Sequence, residues 1–213
     1  MHLGVMRVTL SRIEAALALP PLGERSDYDL NPEVKARQIP GLQQRPAAVL
    51  CGLMQRQAGL NVVLTRRTQH LARHAGQIAF PGGRVDETDE STLAAALRES
   101  EEEIGLAPAQ VRIVGTLDQY LTSTGFRVTP FVGAIDPDWH ARPDPNEVEE
   151  VFEVPLDFLM DPANRHRHAH DRSGTRRYYY AMPWRRFYIW GATAGMLKGL
   201  SDRLAALAEG ETP

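Results

Sequence analysis

The chain has 213 residues, 43% of them hydrophobic and 24% charged, with a formal net charge of −3 and one cysteine. These proportions belong to a globular chain and exclude wholesale disorder, a collagen-like repeat and a coiled coil, while the length fits one domain with a short accessory arm. A sequence pI near 6.2 argues against general nucleic-acid binding, which needs a basic excess, and the longest apolar stretch, 46–54, is about half of what a membrane helix requires.

The segment TLSRIEAALA at 9–18 has helical spacing, with Ile13, Ala16 and Leu17 on one face and Pro20-Pro21 as the stop. The N-terminal residues lack the basic start, apolar block and small-residue cleavage site of an export signal. Cys51 has no partner within the chain, so a reducing, cytoplasmic setting is expected. From 19 to about 45 the mixture of Pro, Gly, Asn and charge reads as an arm lying on the main body. AAVLCGLM and LNVVLTRR then predict two strands joined by the loop 55–59. A turn-rich segment leads into a long helix from about Asp89 to Gly105, with Leu93, Leu97, Ser100 and Ile104 on one side and Gly105 and Pro108 as the stop. VRIVGTLDQY, FRVTPFVGAI and 148–154 are further strands, and PLDFLM is a short helical turn opened by Pro155. TRRYYYAM and RRFYIW predict a hairpin with Pro183 at its turn, and 191–210 a closing helix. The order predicts an α/β domain with a mixed sheet flanked by helices. It divides as 1–44 helix and arm, 45–200 main domain, and 201–213 helix end and tail.

The run Arg98-Glu99-Ser100-Glu101-Glu102-Glu103-Ile104-Gly105 carries the chemistry. On a helix, Glu99, Glu102 and Glu103 fall within an arc of roughly 100°, and like charges at i,i+4 cost about 0.2–0.5 kcal/mol. They also crowd the helix C-terminus, where the dipole disfavours negative charge. An isolated acidic run is ordinarily a solvated face. Here Pro81-Gly82-Gly83, Asp86 and Asp89 precede it. A glycine-rich entry followed by three carboxylates suits a diphosphate bridged by an oxygen-seeking ion such as Mg²⁺ or Mn²⁺.

GRVDETDESTLAAALRESEEEIGL at 83–106 resembles the Nudix box, a glycine and a spaced acid followed by Arg-Glu-apolar-x-Glu-Glu-x-Gly-apolar. Arg98, Glu99, Glu102, Glu103, Gly105 and Leu106 match, while Ser100 stands where an aliphatic residue is usual. The span from Gly83 to Arg98 is one residue longer than the general pattern, as in the coenzyme A pyrophosphatase branch. That branch's upstream signature, LLTxR-(S/A)-x3-R-x3-G-x3-FPGG, is similar to 63–83, with Thr68 for Ser or Ala and Ala72 for Arg. IWGATAGML resembles the end of the same domain, so the likeness covers about 45–200.

The resemblance implies a Nudix-type α/β/α sandwich. It implies cleavage of coenzyme A or a derivative to 4′-phosphopantetheine and adenosine 3′,5′-bisphosphate with Mg²⁺ or Mn²⁺. Alternatives are another nucleoside diphosphate derivative, such as ADP-ribose or a dinucleotide, and a non-catalytic nucleotide-sensing module. Glu99 and Glu103 are implied as principal metal ligands, and Glu102 as a further ligand or the base that orients water. Arg98 is expected to pair with Asp89 or Glu90 and aim the glutamates. Glu147, Glu149 and Glu150, expected in a later loop, are alternative bases. Substrate contacts are expected from Arg66, Arg67, His70, Arg73, Gln77, Phe80, Gly82 and Gly83.

His70 and His74 have i,i+4 spacing but no HExxH pattern, so phosphate bonding or loop ordering is preferred over zinc. RHRHAH at 165–170 alternates three histidines onto one strand face. It reads as an exposed polar strand or an anion-facing strip, thickened by Arg172, Arg176, Arg177, Arg185 and Arg186. That hairpin suits a 3′-phosphate, an acyl-CoA or a homodimer edge. The aromatics of 178–190 are read as core and hairpin packing.

Overall fold

Thr9 accepts a hydrogen bond from the Arg12 N–H and so caps α1 (Leu10–Ala18), which buries Ile13 and Ala16 as the spacing predicts. The computed structural model describes residues 7–35, 44–70, 75–172 and 174–210. The arm then forms β1 (Arg25–Ser26) and α2 (Pro32–Lys35), followed by β2 (Arg45–Arg56), β3 (Gly59–Arg67), β4 (Ile78–Ala79) and β5 (Gly82–Arg84). After α3 (Thr92–Ile104) come β6 (Val111–Thr116), β7 (Tyr120–Leu121), β8 (Phe126–Ile135) and β9 (Val148–Pro155). The chain ends with α4 (Leu156–Met160), β10 (His166–Arg172), β11 (Thr175–Trp184), β12 (Phe187–Trp190) and α5 (Gly191–Gly210). The helix α5 runs unbroken across position 200.

The main sheet is mixed. β2 lies parallel to β8 over 45–54 and antiparallel to β3, while β5 and β9 pair antiparallel with β2 and β3. Alternation along β2 divides two cores: Ala48, Leu50 and Met54 face α3, and Ala47, Cys51 and Leu53 face α5. A strand covered on both faces reads as one apolar run, which is why 46–54 shows no polar alternation. Burial pushes the Cys51 thiol up to about 12, so it acts as a small apolar side chain. The arrangement is the expected α/β sandwich, with α3 on one side of the sheet and α1, α4 and α5 on the other.

Several expectations shift. The first helix of the main domain begins at Thr92, because Ser91 caps it and Asp89 is taken by an ion pair described below. Its buried face is Ala95, Ala96, Ser100, Glu103 and Ile104, with Leu93 and Leu97 only half-buried. The small residues Ala95 and Ala96 let the helix sit close against Ala48, and the Ser100 hydroxyl is satisfied by donating to Ala96 O at 2.7 Å. The hairpin turns at Arg185-Arg186, with Arg185 in the left-handed region (φ 52°), and Pro183 stays in β11 opposite Tyr188. Of the aromatics expected in the core, Phe187 is buried, but Tyr188 is 39% exposed and meets His168 and Trp190.

The expected strand 111–120 is interrupted at Asp118, whose carboxylate takes the Arg203 guanidinium from α5 through bonds of 3.0 and 3.1 Å. Both side chains are at most 3% exposed. Arg203 Nη1 also donates to Leu19 O and Pro20 O, at 2.8 and 3.3 Å, which fastens the arm to α5 and to the β6–β7 connection. Removing one member leaves the other charge buried alone. Asp118→Ala is therefore expected to lower stability by about 3–5 kcal/mol and the melting temperature by roughly 10 °C. The double change Asp118→Leu with Arg203→Met should cost less, and urea denaturation of both variants checks this.

Candidate active site

Arg98 organises the acidic face of α3. Its Nε and Nη2 donate to the two oxygens of Asp89 at 2.9 and 3.0 Å, and its Nη1 donates to Glu99 and Glu102 at 3.0 Å each. Of the two acids expected to pair with it, Asp89 does so. The Arg98 guanidinium, helped by the Asp86 N–H, holds the Asp89 carboxyl at about 2. A bidentate contact of this kind fixes the plane of the guanidinium and therefore the direction in which Nη1 points.

Glu103 is the buried member, 2% exposed. Its Oε2 accepts the Gly82 N–H at 3.2 Å and its Oε1 accepts from Arg67 Nη1 at 3.0 Å. Burial raises its carboxyl to about 7 against the opposing pull of Gly82 and Arg67, with Glu147 and Glu99 adding repulsion. Glu99 is raised for the same leading reason, burial, with Arg98 opposing it. Glu102 is 56% exposed and is held by Arg98 alone among the described residues.

The glycine turn lies directly beneath these side chains. A Cβ on Gly82, whose φ is +142°, would fall 2.3 Å from Ala48 O and 2.6 Å from Val49 Cα, so only glycine lets β5 pair with β2 there. A Cβ on Gly83 would fall 2.6–2.7 Å from the Glu99 carboxylate. The loop before β9 closes the other side. Arg142 and Asp144 donate their N–H groups to Ile104 O and Glu103 O, both at 2.9 Å, satisfying carbonyls that the helix end leaves open. The Asp144–Asn146 turn then brings Glu147 within 3.7 Å of Arg67 and into the field of Glu99 and Glu103.

Several expected contacts are placed elsewhere. Arg67 joins the cluster, but Arg66 turns to Glu149 and Glu150 at 2.9 and 3.3 Å. A bulge between Arg66 and Arg67 gives β9 the extra residue Glu149, so Glu149 and Glu150 belong to a strand, not to a loop over the glutamates. His70 bonds Asn146 O at 3.0 Å, and Gln77 O accepts the Arg67 N–H at 3.0 Å. Phe80 does not present its ring to a substrate: it is 2% exposed in the core, because the turn needs an apolar anchor below it. Arg73, with Ala72 and His74, lies outside the described residues. The Arg67 link to Glu103 was not legible, since Arg67 precedes the helix by more than 20 residues. The one local signal for the loop that delivers Glu147 is the turn-forming run Asp144-Pro145-Asn146.

Glu99, Glu102, Glu103, Glu147, Asp86 and Asp89 set six carboxylates against the guanidinium groups of Arg67 and Arg98. Among the described residues no three His, Cys, Asp or Glu side chains converge on one point, because the two arginines draw the carboxylates to themselves. The donor set still fits a divalent ion: hard oxygens, excess negative charge, and a buried acid whose ionised form lacks full compensation.

The helix thus aims its glutamates over the glycine turn. The NUDIX domain profile matches residues 43–176. An uncharacterized Nudix hydrolase NudL of Shigella flexneri is 43% identical over 173 residues, covering 81% of this chain and 86% of that protein. Its namesake in Escherichia coli (strain K12 / DH10B) is 43% identical over 161 residues, covering 75% and 83%. A crystal structure of the Nudix hydrolase RenU from M. smegmatis aligns at 24% identity with a TM-score of 0.46, over 54% of this chain and 72% of that one. The chain belongs to the Nudix hydrolase family, whose members generally use divalent metal ions and act on small nucleotide substrates. No helix among the described residues is long and apolar enough to cross a membrane.

Two outcomes follow from this geometry. Gly83→Ala displaces a flexible carboxylate and Gly82→Ala drives a Cβ into backbone, so the first should lose about 100-fold in turnover while melting near the wild type. The second should instead fail to fold or melt far lower. Activity assays and thermal melts of the pair separate the two roles. In EDTA, the Glu103 carboxyl favours the folded state when protonated, so stability should fall by ~3 kcal/mol as pH rises from about 4.5 through about 7. Glu103→Gln should flatten that slope in chemical denaturation. The Asp89 contribution has the opposite sign and is lost only as pH falls from 3.8 towards about 2.

Proposed function

We propose that this hydrolase cleaves the diphosphate of coenzyme A or its derivatives, releasing 4′-phosphopantetheine and adenosine 3′,5′-bisphosphate. The observation that carries the reading is the wiring of 63–83, the segment similar to the coenzyme A branch. Its Arg67 and Gly82 hold Glu103, and its Gly83 leaves room for Glu99. Glu99 and Glu103 are assigned as principal metal ligands, with Glu102 as a further one. A divalent ion bound there supplies charge neutralisation and Lewis acidity.

The remaining work falls to side chains of this protein. Arg98, locked by Asp89, orients Glu99 and Glu102, and Arg67 limits the charge around Glu103. A water oxygen bonds to one phosphorus, the P–O bond to the bridging oxygen breaks, and that oxygen leaves on the second phosphate. Glu147 is the base we assign for the water proton. It is 44% exposed, and its one ion pair among the described residues, to Arg67, is a long 3.7 Å. The single thiol Cys51, buried and unpaired, supports a cytoplasmic location.

Incubation with coenzyme A, ADP-ribose and diadenosine polyphosphates under Mg²⁺ or Mn²⁺, with mass analysis of products, tests the substrate. Coenzyme A should be cleaved fastest, and EDTA should abolish turnover. Faster cleavage of ADP-ribose or a dinucleotide would overturn the substrate assignment. Glu99→Gln should reduce kcat by orders of magnitude, and Glu147→Gln by ~100-fold with little change in metal affinity.

A further inference from the structure

On the α5 side of the sheet, the arm at 26–31, β7 and the three-stranded sheet β10–β11–β12 enclose a cavity of about 90 Å³ that lies outside the glutamate cluster. Its lining combines three kinds of group. Tyr179 and Trp190 meet edge to face at 5.1 Å, and His170 tilts against Tyr179 at 5.5 Å, so the wall is built of π surfaces. Arg177 stands opposite His170 in the β10–β11 register, and its buried Nε has no hydrogen-bond partner among the described residues. Asp27 accepts from the Tyr120 hydroxyl at 3.0 Å and the Ser123 N–H at 2.7 Å, which leaves carboxylate lone pairs for a further donor.

Each feature asks for a different part of one ligand. Aromatic walls stack on a planar base whatever its sequence context. A buried guanidinium donor without a partner is relieved by an anionic oxygen such as that of a phosphate. A carboxylate acceptor beside the stacking wall suits an exocyclic amine. β12 packs beside β4, and Thr193 Oγ1 donates at 3.0 Å to Ile78 O, two residues before Phe80. Across the sheet, Tyr120 is paired through Val128 and Ala47 to Arg84 of β5, three strand spacings or ~14 Å. The glutamates stand on the α3 face of the sheet and the cavity on its α5 face, so the cavity is a site separate from the cluster.

We infer that this cavity binds the base and an adjoining phosphate of an adenine nucleotide. The site goes beyond the proposed function and does not depend on it, and adenosine 3′,5′-bisphosphate serves as its adenine-nucleotide probe. Titration calorimetry in EDTA with adenosine 3′,5′-bisphosphate and with 4′-phosphopantetheine tests it directly. The bisphosphate should bind at least ~10-fold more tightly than phosphopantetheine, and Arg177→Gln should weaken it by ~10-fold or more. Hydrogen exchange on the wild type should show protection by the bisphosphate at 26–31 and 177–180, and that map decides the matter if Arg177→Gln does not fold. Absent or equal binding of the two halves, or protection confined to other segments, overturns the pocket. The two proposals fail separately. Coenzyme A left uncleaved, with binding and map as expected, removes the substrate assignment and keeps the pocket. Coenzyme A cleaved, with bisphosphate binding unchanged in Arg177→Gln, removes the pocket and keeps the hydrolysis.

Discussion

A carboxylate taken almost wholly out of water needs a donor on each oxygen, and Glu103 finds one in a backbone amide of the glycine turn and the other in a guanidinium of β3. Much of the surrounding structure follows from that need. Position 82 must be glycine, since any Cβ there would strike β2. The helix must come close to the sheet, which it does over Ala95, Ala96 and Ala48. The turn must be anchored from below, and Phe80 fills that place in the core.

Around this buried acid the protein gathers more negative charge than it neutralises. Arg98 and Arg67 are spread over six carboxylates, and the burial of Glu103 and Glu99 works against their ionised forms. A divalent ion held there would relieve that imbalance by Coulombic attraction. The helix end adds to the arrangement. Its open carbonyls are capped by the loop that delivers Glu147, so one set of backbone hydrogen bonds both closes α3 and completes the acidic face.

The other side of the sheet is organised by a second buried charge pair. Arg203 and Asp118 join α5, the arm and the β6–β7 connection, and Asn31 adds a strand-like exchange with the Tyr178 backbone at 2.7 and 2.8 Å. Gly195 is needed at the same junction, because a Cβ there would fall 2.4 Å from the Tyr120 hydroxyl. These contacts hold the arm against β11 and so form the aromatic cavity. The chain thus presents an acidic face on one side of its sheet and an aromatic, cationic recess on the other.

Local chemistry was readable from the residues alone. The acidic arc on one helix, its stop at Gly105, an Asp89 or Glu90 partner for Arg98 and a strand in the apolar run at 46–54 all depend on spacing within a few residues, which periodicity and helix geometry determine. Contacts between distant segments were not readable. The Arg67 bond to Glu103, the burial of Phe80, the diversion of Arg66 to Glu149 and the break at Asp118 each depend on which strands become neighbours and where a bulge shifts the register. The sequence by itself determined which groups the helix and its glycine turn carry. Only the tertiary structure decided which carboxylate is buried and which arginine meets it, because burial and pairing arise from the packing of elements far apart along the chain.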